Sequence, residues 1–201
     1  MRGSGHTPDR RSGPQRLRPR VLIYCGGKRS EPAYFAGIKA LLGERGKSVN
    51  IEIKKCKDAP DALVRRAARY AAENPGFFDQ VWVVCDVDHF EREGSKVTAA
   101  MQAARGADIG VAASNPCFEF WLVLHHADCG AAFGNCDAVA ERLRKHVPAY
   151  DKTKVRFDDF ADGVADAIER AKKLDPTGID HKINPSTGVW VLVEKLMEQE
   201  Q

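Results

Sequence analysis

The sequence contains no apolar run that approaches the roughly 20 residues a helix needs to cross a bilayer. Its opening segment, MRGSGHTPDRRSGPQRLRPR, lacks the apolar centre of a secretion signal. A cytoplasmic location with no membrane contact is therefore expected. No two of the six cysteines (Cys25, Cys56, Cys85, Cys117, Cys129, Cys136) form a CxxC pair. They read as small buried hydrophobes kept reduced rather than as a zinc cluster. Cys129 and Cys136, close to His125 and His126, make the alternative, at a spacing that matches no standard zinc pattern. Neither a Walker loop nor a GxGxxG fingerprint is present, and no internal repeat is visible.

The body of the chain also lacks an excess of either charge. The formal net charge is +3, but residues 1–20 alone hold six arginines against the single acid Asp9. Without that segment, 25 basic residues face 27 acidic ones. No overall basic field draws in nucleic acid, so a polyanion must be held by a local patch, by the tail or by a partner. Residues 1–20 are expected to be a disordered basic tail, either a plain solvated extension or a nucleic-acid-binding arm.

What is present reads as an α/β chain. Its 201 residues are enough to bury roughly 70% of the unfolded surface, so no disulfide or metal is needed merely to fold. Val21–Cys25 is an uninterrupted apolar run, the mark of a parallel strand covered on both faces. Gly26-Gly27 then makes a turn, Ser30 can cap a helix with Pro32 in its first turn, and Tyr34, Phe35, Ile38, Leu41 and Leu42 follow at helical spacing. Asn50–Lys54 predicts a second strand and Asp58–Glu73 a helix with Ala62, Leu63, Ala67 and Ala71 on one face. Gln80–Cys85 predicts a third strand, Phe90–Arg105 a helix, Ile109–Ala113 a fourth strand and Cys117–His126 a buried helix. This alternation over residues 21–126 argues for a mainly parallel sheet flanked by helices. Residues 127–201 read as a mostly helical C-terminal portion packed on it, with helices at Cys136–His146, Phe157–Lys173 and Thr187–Glu200. Residues 21–201 are thus expected to be one domain.

Ligands of a parallel α/β sheet bind beyond the carboxyl ends of its strands. Asp86 and Asp88 stand where the third strand ends, two residues apart, so an extended backbone puts both on one side about 6–7 Å apart. Two carboxylates that close repel, and a divalent cation reverses the penalty. A solvated acidic turn or a helix cap is the plainer alternative. The loop Gly26-Gly27-Lys28-Arg29 opens a helix with small residues and two cations, which suits a phosphate but by itself equally suits an ordinary tight turn. Glu119 stands among apolar residues in Asn115–Trp121, where its carboxylate needs either a cationic side chain or a metal.

The segments VLIYCGGKRSEPAYF, VWVVCDVDHF, SNPCFEFWLVLH, Tyr150-Asp151-Lys152 and NPSTGVWVLVEKL resemble, in this order, the RloB family. The resemblance spans residue 21 to about residue 197, and SNPCFE and NPST are its most specific parts. It implies a Toprim-like fold and Mg²⁺- or Mn²⁺-dependent hydrolysis of phosphodiester bonds in RNA (transfer RNA included) or DNA. It also implies a setting in prokaryotic anti-phage abortive infection, beside an AAA-type ATPase. Carried over by position, Asp86 and Asp88 would hold the metal, Glu119 would support it and Lys152 would contact the scissile phosphate. Family members usually read CEGE-K-T-E after the first strand. Here Gly26 replaces the first glutamate and Lys28 the second, leaving Glu31 as the nearby acid. The expected catalytic set is therefore Glu31, Asp86, Asp88, Glu119 and Lys152, with Asp86, Asp88 and Glu31 on the metal. Gly27, Lys28, Arg29 and Asn115 are the expected substrate contacts. The rival reading is a catalytically degenerate module that binds nucleic acid or nucleotide and regulates a partner ATPase.

Overall fold

The computed structural model of the chain describes residues 18–46, 49–87 and 96–198. The tail over residues 1–17 lies outside them, and so does Asp88. β1 (Arg20–Cys25) is followed by α1 (Ser30–Glu44), β2 (Asn50–Lys55), α2 (Pro60–Glu73) and β3 (Gln80–Asp86). Then come α3 (Lys96–Gly106), β4 (Gly110–Asn115) and the short α4 (Glu119–Leu124). The C-terminal part is helical: α5 (Cys136–Arg144), α6 (Val164–Leu174), and α7 (Val189–Glu198) after the two-residue β5 (Ser186–Thr187). Among the described residues these make one sheet in the order β2-β1-β3-β4-β5, parallel except for the antiparallel β4–β5 pair. The expected α/β fold, a mainly parallel sheet flanked by helices with a helical C-terminal part, is what the chain adopts.

β1 explains the layering. Its side chains alternate, and both faces are covered, which is why the run is apolar throughout. Val21, Ile23 and Cys25 enter one core with Tyr34, Phe35, Ile38 and Leu42 of α1 and the buried residues of α4 to α7. Leu22 and Tyr24 enter the other with Leu63, Val64 and Ala67 of α2 and Val97, Ala100 and Ala104 of α3. α4 is buried on every side, from Phe120 to Leu124. Each such large side chain contributes roughly 1.5–3 kcal/mol on burial, so this short helix pins the middle of the molecule.

The structure departs from the sequence expectations in several places. Ser30 does not cap α1: Arg29 holds the cap position without a side-chain bond, and the Ser30 hydroxyl turns to Glu119 and the Lys152 carbonyl instead. The buried helix expected at Cys117–His126 contracts to α4, and the segment Phe157–Lys173 opens with two 3-10 turns, Phe157–Asp159 and Ala161–Gly163, before α6. Gly163 passes so close to α4 that a Cβ there would come within 2.3 Å of the His125 carbonyl oxygen. β5 was not foreseen, because two residues carry no period; Thr187, expected to open the last helix, instead lies opposite Ser114, their hydroxyls 2.7 Å apart. The helix expected at Phe90–Arg105 begins, among described residues, at Lys96. No described helix is long and apolar enough to cross a membrane.

Candidate active site

Three acids stand at or just after the carboxyl ends of β1, β3 and β4. Asp86 is the last residue of β3, opposite Ser114 of β4. Its Oδ1 accepts a 2.8 Å hydrogen bond from the Phe118 amide, just before α4, which fixes the carboxylate against the start of that helix. Glu31 lies in the first turn of α1, only 4% exposed, and folds back so that Oε1 accepts from the Gly27 amide at 2.8 Å. A Cβ at position 27 would fall 2.0 Å from the Glu31 Oε2, so this seat exists because residue 27 is glycine. Glu119 opens α4, half-buried, and its Oε1 accepts from the Tyr150 hydroxyl at 3.0 Å and the Ser30 hydroxyl at 3.2 Å.

Charge effects link the three pairwise. Burial raises the Glu31 carboxyl above its ordinary value and the charge of Glu119 adds to this, while backbone amides, Gly27's among them, oppose both. The Cys85 thiol is pushed up by burial and then by Asp86 and Glu31. The Cys117 thiol is pushed up by its contact with Cys136 and by burial, then by Glu119 and Asp86. Tyr150 is raised by burial and by Glu119. A buried carboxylate whose proton affinity is raised by a second acid marks a place that favours a cation or a proton.

Beside Glu119 opens a cavity of about 350 Å³, lined also by Tyr150, Asp151, Lys152, Thr153 and, from α5, Cys136 and Arg144. Lys152 is exposed there. Arg29 lies on the same side. The Asp151 carboxyl is held low first by the Thr153 amide and hydroxyl, with Lys154 and Arg29 adding their charge. Lys28 acts elsewhere, on the Cys56 thiol.

Two expected substrate contacts have other partners. The Gly27 amide is engaged by Glu31 rather than open to a phosphate. Asn115 donates from Nδ2 to the His181 carbonyl at 2.9 Å and so ties β4 to the segment before β5. Of the residues in the zinc alternative, His125 is buried in the core between the Tyr34 hydroxyl and the Trp121 carbonyl. Sequence reasoning missed Ser30, Tyr150 and Arg144 as parts of the site. Only Tyr150 had a signal, the Tyr-x-Lys element.

A family model described as RloB-like protein matches residues 21–196. The chain belongs to the RloB-like family. No curated protein and no solved structure matches it. The RloB-like match covers every residue of the site, from Glu31 to Lys152. The donors of this RloB-like site are carboxylate oxygens, the ligand type preferred by hard divalent cations such as Mg²⁺ and Mn²⁺. Chemically they fit such an ion. Among the described residues, no three Asp, Glu, His or Cys side chains are already grouped to hold one.

Proposed function

We propose that this RloB-like chain is a metal-dependent nuclease of Toprim-like type, acting on RNA or DNA in prokaryotic anti-phage defence alongside an AAA-type ATPase. One observation carries the reading: Glu31, Asp86 and Glu119 all stand at the carboxyl edge of a parallel sheet, and Glu119 lies beside a cavity lined by Lys152 and Arg144. Asp86, Asp88 and Glu31 would hold Mg²⁺ or Mn²⁺. Bound there, the ion supplies Lewis acidity toward a phosphoryl oxygen and a water molecule. The rest falls to side chains. The burial and the Glu119 charge that raise the proton affinity of Glu31 also favour a cation beside it. Tyr150 and Ser30 fix the orientation of Glu119. Lys152 and Arg144 face the cavity, where they counter the charge of the phosphate.

The second reading, a degenerate module that binds nucleic acid or nucleotide and regulates the ATPase, is favoured by Gly26. Its amide continues the β1–β3 ladder to the Val84 carbonyl, and no acid stands at the strand-one position. The two readings separate when wild-type and Asp86→Ala proteins are incubated with transfer RNA, single-stranded RNA and plasmid DNA, with Mn²⁺ or with EDTA. The nuclease predicts Mn²⁺-dependent cleavage that falls about 100-fold or more in the variant. Equal cleavage by both proteins sinks the assignment of Asp86. Binding without cleavage supports the module.

A further inference from the structure

The carboxyl edge of the sheet carries a second charged feature, on the side of β2. Cys25 of β1 pairs with Lys55 of β2, and the Cys56 amide donates to the Cys25 carbonyl at 3.0 Å. The loops that follow the two strands, residues 26–29 and 56–59, therefore leave the sheet side by side. Lys28 and Lys57 are exposed on these loops and Lys55 at the end of β2. Lys55 acts on the Cys25 thiol and Lys28 on the Cys56 thiol, which places both charges at this junction.

The acids nearby already have partners. Asp58 accepts from Arg66 at 2.8 Å and from the Cys56 thiol at 2.9 Å. Glu52 is held by Lys54 at 2.8 Å and by the Tyr70 hydroxyl at 3.0 Å. Among the described residues, none of the three lysines forms an ion pair. Cationic side chains brought to one strand edge repel one another, and a string of phosphates relieves that repulsion. A body with slightly more acid than base concentrates this cationic patch at one strand edge, beside Gly27 and Glu31.

We propose that Lys28, Lys55 and Lys57 form a track for the sugar-phosphate backbone of a nucleic-acid strand, flanking the bond at the carboxylates. The inference rests on reading the site as one for nucleic acid. It adds a direction: the strand crosses the ends of β2 and β1, passes Glu31 and Asp86, and reaches Arg29, Lys152 and Arg144 on the other side. Binding along the track is independent of base sequence and of metal. It requires several linked nucleotides, so a mononucleotide gains nothing from it.

The test is fluorescence anisotropy of the full chain with a labelled single-stranded RNA of roughly a dozen nucleotides, titrated in EDTA at several salt concentrations. The comparison protein carries Lys28→Gln, Lys55→Gln and Lys57→Gln together, with circular dichroism to confirm that it folds. Each lost phosphate contact lowers the slope of log K against log salt by about 0.7 for a single strand. The triple variant should therefore bind at least tenfold more weakly at low salt, with a slope shallower by about 2. An unchanged slope overturns the track, and so does a wild-type chain that ignores every oligonucleotide. Arms with single-stranded DNA and with duplex distinguish the sources of the backbone. Tighter binding to phosphatidylserine vesicles than to any strand overturns the proposal in favour of a membrane surface. If binding depends on the lysines but Mn²⁺ never yields cleavage, the nuclease reading falls and the track stands.

Discussion

Two buried acids of similar exposure, Glu31 at 4% and Asp175 at 3%, live in opposite circumstances. Asp175 follows α6, and its two oxygens accept from the Thr177 amide at 3.0 Å, the Thr177 hydroxyl at 2.6 Å and the Asp180 amide at 2.9 Å. It organises the turn that leads to β5. Glu31 has the Gly27 amide at 2.8 Å and a second carboxylate, Glu119, for a neighbour. Burial alone therefore distinguishes nothing. An acid whose bonds are satisfied by its own loop holds structure, whereas one buried against a like charge stores the means to bind a cation or a proton.

The comparison breaks most visibly at Asp175. Asp175→Ala leaves three donors without their acceptor and should cost about 3 kcal/mol of unfolding free energy in a urea titration. A loss near zero would mean that the turn is not held by this carboxylate. His125 belongs to the same satisfied class, with burial pressing its pKa down to about 3. The unfolded chain takes up that proton near pH 6.5, so stability from the neutral imidazole is complete above this value and drains away as pH falls toward 3. About 2 kcal/mol should disappear between pH 7 and pH 5, and His125→Gln should flatten the curve.

Glu31→Gln goes the other way. It keeps an acceptor for Gly27 but removes the repulsion with Glu119, so the protein should gain about 0.5–2 kcal/mol while cleavage is lost. The pH dependence from Glu31 has the reverse sign to that of His125, because its raised folded pKa favours the fold as pH falls through it. The smallest expected effect on stability is that of Gly27→Ala. The atom it displaces is the far end of the Glu31 side chain, so melting should change by less than about 1 kcal/mol. Cleavage should nevertheless drop about tenfold or more, as the carboxylate leaves its seat.

The parts of the fold that could be read in advance were those written in local pattern. β1 and β3 showed as apolar runs, α1 as a spacing, and Asp86 as an acid at the end of a buried strand. What could not be read was who meets whom. Tyr150 reaches Glu119 across 31 residues and Ser30 reaches it across 89, and no periodicity records such a meeting. Gly27 looked like a phosphate turn because the same lack of a side chain serves either purpose. Its use as the seat of Glu31 depends on where α1 begins. Asn115 stood in a specific motif, yet its amide faces the His181 carbonyl, a contact set by β5, which the sequence hides in two residues. The three lysines at the β1 and β2 ends were likewise scattered in sequence and gathered only by strand pairing.

The central claim is that the acids at this strand edge are a seat for a divalent cation. Calorimetric titration of Mn²⁺ into the wild-type protein and into Asp86→Ala tests it without any substrate. The account predicts saturable binding to the wild type that weakens by about 10- to 100-fold in the variant. Equal affinity in the two proteins, or no binding by the wild type, would contradict it.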